Sequence, residues 1–192
     1  MERIVTHERT TKETSISCSL NASRRDAIEI DTPVAFFNHM LHAMCFHGGF
    51  GIKLKGAGDI EIDYHHLVED TGLVLGGCFA KLIDEFGPVS RWGHSVVPMD
   101  ESLSEVTIDA SGRPFLVYKA DYPQEYAGEF PMILVQEFLT AFSNTAGITI
   151  HAACLYGENS HHMAEALFKA LGKALNQAFA PAKTVESTKG SL

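Results

Sequence analysis

Two five-residue stretches constrain this chain more than anything else in it: H-H-L-V-E from His65 to Glu69 and H-H-M-A-E from His161 to Glu165. They start 96 positions apart, half of the 192-residue length, and together take four of the ten histidines. A motif repeated at half the chain length signals internal duplication before it signals anything else. Other segments keep nearly the same offset. F-N-H-M-L-H-A-M-C-F-H-G-G-F from Phe37 has the periodicity of V-Q-E-F-L-T-A-F-S-N-T-A-G-I from Val135, pairing Gly49 with Gly147 and His39 with Glu137 at an offset of 98. E-T-S-I-S-C-S-L at Glu13 resembles E-V-T-I-D-A-S-G at Glu105, at an offset of 92. The unequal offsets imply loops of different length in two related halves.

Each half has the same coarse pattern. Alternating, β-branched stretches (Ser15 to Leu20; Val106 to Ile108 and Phe115 to Lys119) predict strands. A segment with helical spacing follows (Val34 to Phe46; Phe130 to Phe142), closed by a glycine. Another strand (Gly51 to Lys55; Gly147 to Ala152) leads into the H-H-x-x-E segment and an apolar helix (Leu67 to Phe86; Met163 to Phe179). The expectation is an α+β fold of two β-β-α-β-α-like halves, with helices on one face of each sheet. The halves span residues 1–90 and 91–182, and the polar, unpatterned residues 183–192 form a tail ordered only when something binds it.

Composition narrows the functional classes. A net charge of −9 without clustered Lys or Arg argues against a nucleic-acid surface and favours cations as partners. No apolar run approaches the roughly 20 residues of a membrane-spanning helix, and the charged N-terminal stretch lacks the apolar core of a secretory signal, so a cytosolic location is the default expectation. Cys18, Cys45, Cys78 and Cys154 are dispersed without C-x-x-C spacing and read as buried, reduced thiols.

On a helix, residues three or four apart share a face and adjacent residues diverge by about 100°. Glu69 can therefore join one histidine of its pair at a single ion while the other points elsewhere, which suits two metals. With His39 and its counterpart Glu137, the duplicated segments supply eight candidate ligands: His39, His65, His66, Glu69, Glu137, His161, His162 and Glu165. Imidazole with carboxylate and no thiolate selects Mn²⁺, Fe²⁺ or Zn²⁺ over a soft ion. Four protein ligands around a six-coordinate ion would leave two positions open for chemistry. One H-H-x-x-E is more often a solvated helix cap; two at matching positions reverse that reading. His42, His47 and His151 read as outer partners or core residues, His7 and His94 as surface residues, and Asp63, Asp70, Asp100 and Glu101 as turn or outer hydrogen-bonding groups.

The segments I-D-Y-H-H-L-V-E-D-T-G, P-M-D-E-S-L-S-E-V, D-A-S-G-R-P-F-L-V-Y, G-E-N-S-H-H-M-A-E-A-L-F-K-A-L-G-K-A-L and the terminal S-T-K-G, taken together, resemble the imidazoleglycerol-phosphate dehydratase family of histidine biosynthesis from about Arg9 to Leu192. The resemblance implies a duplicated fold like domain 2 of ribosomal protein S5, trimers assembled into a 24-subunit homo-oligomer, and a dinuclear Mn²⁺ site between subunits. It places the metal ligands on the eight residues above and substrate contacts on Glu13, Arg91, Arg113, Lys169, Ser187 and Lys189. Asn38 stands where an aspartate is frequent in the family, and Glu137 where histidine is frequent.

The implied reaction removes water from imidazole glycerol phosphate to give imidazole acetol phosphate. No carbonyl stands next to the departing proton, so the imidazole ring must act as electron reservoir. A carboxylate must carry protons, with Glu13 and Glu165 as the candidates, while Arg91, Arg113, Lys169 and Lys189 suit a phosphate dianion. Two other classes remain open at this stage: a metal-loaded assembly protein without activity, and a dinuclear metallohydrolase of phosphate esters.

Overall fold

A computed structural model describes residues 2–187. The first half contains β1 (Ile4–Thr10), β2 (Thr14–Asn21), β3 (Ile28–Asp31), α1 (Ala35–Gly48), β4 (Gly51–Gly58) and α2 (His65–Phe86). The second contains β5 (Trp92–Met99), β6 (Ser102–Asp109), β7 (Phe115–Lys119), the short pair β8 (Tyr126–Ala127) and β9 (Phe130–Pro131), α3 (Leu134–Ala146), β10 (Thr149–Tyr156) and α4 (Ser160–Ala178). The strand orders match: β1-β2-β4-β3 in one sheet and β5-β6-β10-β7 in the other. In each, the last-entering central strand runs antiparallel to one neighbour and parallel to the other. The fold is α+β with a repeated topology; each of the two main sheets has one strand more than the three expected, and the second half adds the β8–β9 hairpin.

Helices form where apolar residues recur on one face, and both first helices end on a left-handed glycine: Gly49 has φ 73° and Gly147 φ 66°. α2 lies on β1 and β2, α4 on β5 and β6, and the helices meet across the halves, α2 with α3 and α1 with α4. One apolar cluster, including Phe37, Phe79, Phe138, Phe142 and Phe168, joins both halves. Close approach at the two helix seams is secured by equivalent glycines. A Cβ at Gly76 would lie 2.7 Å from the Phe142 carbonyl oxygen, and one at Gly172 would collide with that of Met44. Buried Asp70 on α2 accepts from Arg9 of β1 and Thr14 of β2, pinning the first helix to its sheet.

Three expectations need correction. The second-half helix starts at Leu134, not Phe130, because Phe130 and Pro131 pair with Ala127 and Tyr126 in a hairpin. The ladders set Leu20 opposite Ile52 and Ile108 opposite Ile150, so β2 and β6 are related by an offset of 88, and Glu13 corresponds to Glu101 instead of Glu105. His7 is half-buried with its ring against Gly77, where burial lowers its basicity, whereas His42 and His151 are exposed and outside the core. Cys18, Cys45 and Cys78 are buried free thiols and Cys154 a half-buried one.

Candidate active site

Both histidine pairs sit in the first turn of a long helix, where the strand-to-helix turn aims them at the surface. In α4 the N-cap is Asn159, whose Oδ1 accepts from the backbone N–H of His161 and His162. In α2 the N–H of His65 donates to Asp63 Oδ1 at 2.8 Å. The adjacent rings diverge in both places, with interplanar angles of 87° for His65 and His66 and 76° for His161 and His162.

The second cluster is the tighter. His161 Nε2 lies 3.2 Å and His39 Nε2 3.1 Å from Glu165 Oε2, and Lys169 Nζ is 2.8 Å from Glu165 Oε1. His39 belongs to α1 and Glu165 to α4, so this triad exists only because the halves dock. Burial would raise the Glu165 carboxyl, but Lys169 and His39 outweigh it and hold it at about 2. His162 turns the other way: its Nδ1 is 2.8 Å from Glu101 Oε2, an ion pair that raises the histidine and holds the Glu101 carboxyl at about 2.

The first cluster is looser. His65 Nε2 is 3.7 Å from Glu69 Oε2. His66 Nδ1 is 3.1 Å from Asp59 Oδ2 and 3.9 Å from Glu13 Oε2, and the hydrogen bond to Asp59 raises this histidine. Among the described residues, the groups whose donor atoms converge closely enough for one ion are His39, His161 and Glu165, and Glu13, Asp59 and His66. Glu137, half-buried on α3, joins neither group. The donor chemistry of the first group, two imidazoles and a carboxylate already held by cations, fits a borderline divalent metal.

The expected anion-binding residues fall in two places. Arg91 Nε lies 2.7 Å and Arg113 Nη2 3.3 Å from the Asp109 carboxylate, and Arg91 also donates to the Glu186 carbonyl oxygen at the start of the tail. Burial would raise Asp109, but hydrogen bonds from Arg91 and Ser111 and the two guanidiniums hold it low. Lys169, in contrast, touches Met99 Sδ at the far end of β5. Arg91 precedes that strand's first residue and its N–H donates to the Ala178 carbonyl oxygen on α4, nine residues beyond Lys169, so roughly 14 Å of helix separates the two within one chain. Ser187 lies beside Glu186, and Lys189 falls outside the described residues. Asn38 bonds back to Thr32 through both its side-chain atoms, fixing the entry to α1 one residue before His39.

Glu101 behaves as the turn or outer hydrogen-bonding group expected of it, whereas Asp59 is a contact the sequence did not single out. Asp59 opens the loop from β4 to α2, and Glu101 lies in the β5–β6 turn, distant in sequence from the pair it meets.

The imidazoleglycerol-phosphate dehydratase family profile matches residues 32–175. The imidazoleglycerol-phosphate dehydratase of Clostridium acetobutylicum is 47% identical over 188 residues, covering 96% of this chain and 95% of its own length. That of Limosilactobacillus fermentum is 45% identical over 99% of this chain and all of its own. Among solved structures, the Staphylococcus aureus enzyme superposes with a TM-score of 0.82 at 35% identity, over 93% of this chain and 100% of that one. The Pyrococcus furiosus enzyme in complex with (S)-C348 does so with a TM-score of 0.86 at 36% identity, over 96% and 99%.

Proposed function

The chain belongs to the imidazoleglycerol-phosphate dehydratase family and is a hydro-lyase of histidine biosynthesis, and from that premise we propose that it dehydrates imidazole glycerol phosphate at a dinuclear Mn²⁺ site built from His39, His65, His66, Glu69, Glu137, His161, His162 and Glu165. The observation that carries this reading is the convergence of His39, His161 and Glu165 from opposite halves onto one point. Bound metal would supply Lewis acidity toward the substrate ring and the departing hydroxyl.

The chain's own groups do the remaining work. The hydroxyl on the carbon beside the ring leaves as water, the proton on the next carbon is lost, and the resulting enol becomes the ketone. Glu165, already ionised at neutral pH, and Glu13, exposed beside His66, are the proton carriers. Arg91, Arg113, Lys169, Ser187 and Lys189 take the phosphate, the guanidiniums as forks and the lysines as point charges. The separation of Lys169 from Arg91 within one chain supports a pocket shared between copies, as do two partial donor sets per chain. A homo-oligomer of trimers, reaching 24 subunits in a cytosolic setting, is consistent with both. Exposed Trp92, Phe115, Ile133 and Tyr156 supply apolar surface for it. No helix among the described residues is long and apolar enough to cross a membrane.

Purified protein loaded with Mn²⁺ should convert imidazole glycerol phosphate to the ketone, and chelation should abolish turnover. Release of inorganic phosphate would instead indicate a hydrolase, and a fully metallated particle without turnover would indicate an assembly protein. Native mass measurement gives the subunit count, with an isolated monomer overturning the shared pocket.

A further inference from the structure

The duplicated strands place Glu13 and Glu101 at equivalent positions, each immediately before the second strand of its hairpin, yet the two carboxylates do different things. Glu101 is fully committed. Its Oε1 accepts from Ser102 Oγ at 2.8 Å, from the N–H of Asn159 at 2.9 Å and from that of Glu158 at 3.2 Å, and its Oε2 meets His162 Nδ1 at 2.8 Å. Glu13 stands 3.9 Å from His66 Nδ1, beyond hydrogen-bonding range, because Asp59 already occupies that nitrogen with its two oxygens at 3.1 and 3.2 Å. The cause lies in a loop. Six residues, 59–64, join β4 to α2, whereas three, 157–159, join β10 to α4, and the longer loop carries Asp59 to His66.

We infer that Asp59 and Glu101 are positioning residues that hold His66 and His162 with Nε2 presented to metal, and that the longer first-half loop thereby releases Glu13, the counterpart of Glu101, for contact with substrate. This rests on the proposed ligand role of the two histidines. An ionised carboxylate only accepts, so the Nδ1 facing it carries the hydrogen, and a neutral ring then has its lone pair on Nε2. Outer carboxylates of this kind set ring orientation and basicity in metal sites generally.

The two positions respond differently to amide substitution, which makes the inference testable. In E101Q the side-chain oxygen stays with the backbone N–H groups of residues 158 and 159, so the new NH₂ faces His162 Nδ1 and forces the hydrogen to Nε2. In D59N no other hydrogen bond among the described residues claims the side chain, so its amide can turn its oxygen to His66 and preserve the tautomer. Metal-stripped full-length protein is titrated with Mn²⁺, following free Mn²⁺ by electron paramagnetic resonance, while ¹⁵N spectra of histidine-labelled protein report the ring tautomers. E101Q and D59A should each lose roughly 10- to 100-fold in Mn²⁺ affinity, E101Q should move one ring to the Nε2–H tautomer, and D59N should stay close to wild type. Wild-type affinity in E101Q with no tautomer change, or equal loss in D59N and D59A, overturns the inference alone. Wild-type protein that takes up no Mn²⁺ overturns the ligand reading and this inference with it.

Discussion

Glu165 and Glu69 are the same residue of the repeat in opposite surroundings. Glu165 is 11% exposed, flanked by His39, His161 and Lys169. Glu69 is 46% exposed, with His65 at 3.7 Å. The position equivalent to His39 is Glu137, and the position equivalent to Lys169 is Leu73. Duplication preserved the backbone and let the electrostatics separate: one carboxylate is held ionised by Lys169 and His39, while the other has at the equivalent positions a leucine and a second carboxylate. A site with surplus negative charge gains most from an added cation, and a site with its own cations is prepared to handle protons and phosphate.

The sharpest way to break this comparison is to remove each carboxylate in turn. Glu165→Gln should lower turnover roughly 10²- to 10⁴-fold, the range for a lost proton carrier, and by more than Glu69→Gln; equal losses measured by steady-state kinetics would erase the distinction. The seams give the next effect. Ala at Gly172 or Gly76 forces a methyl against the partner helix backbone, so each should destabilise by about 1–3 kcal/mol in urea unfolding, with Gly172→Ala the worse because its Cβ would stand closer to the facing carbonyl. Replacing Glu137 by Gln tests whether the first-half cluster uses it. A loss of Mn²⁺ affinity of about tenfold or more in titration supports ligation, and an unchanged isotherm removes Glu137 from the set.

The smallest effect is acid sensitivity. The Glu165 carboxyl is depressed in the fold to about 2, so its ionised form contributes stability that is fully present above the ordinary carboxylate range and is lost as pH falls from about 4.5 toward 2. Metal-free wild-type protein should therefore lose more stability across that window than Glu165→Gln does, as chemical denaturation at several pH values would show.

Much of this was readable from the residues. The long helices declared themselves by their length of apolar sequence, since α2 and α4 are buried between a sheet and a second helix. Gly49 and Gly147 marked their helix ends because only glycine takes that turn without strain. The short strands did not: β3 is held by β4, 24 positions further on, and β8 and β9 are two-residue arms of a tight hairpin, too short to show any alternation of their own. The equivalence of Glu13 and Glu101 was hidden by a matching run of letters at Glu105; only the ladder partners on β4 and β10 reveal the true register. Asp59 was invisible for a related reason, since a six-residue loop has no period and its aim is set by where the helix begins. His39 and Glu165 could each be named from sequence, but their 3.1 Å meeting is a product of how α1 packs on α4.

That meeting spans 126 positions and involves the last helix of the fold. During synthesis, no fragment that ends before α4 can assemble the His39–His161–Glu165 triad, however well its first half has folded. A chain stalled before α4 lacks His161 and Glu165, so the triad forms only once translation has passed that helix.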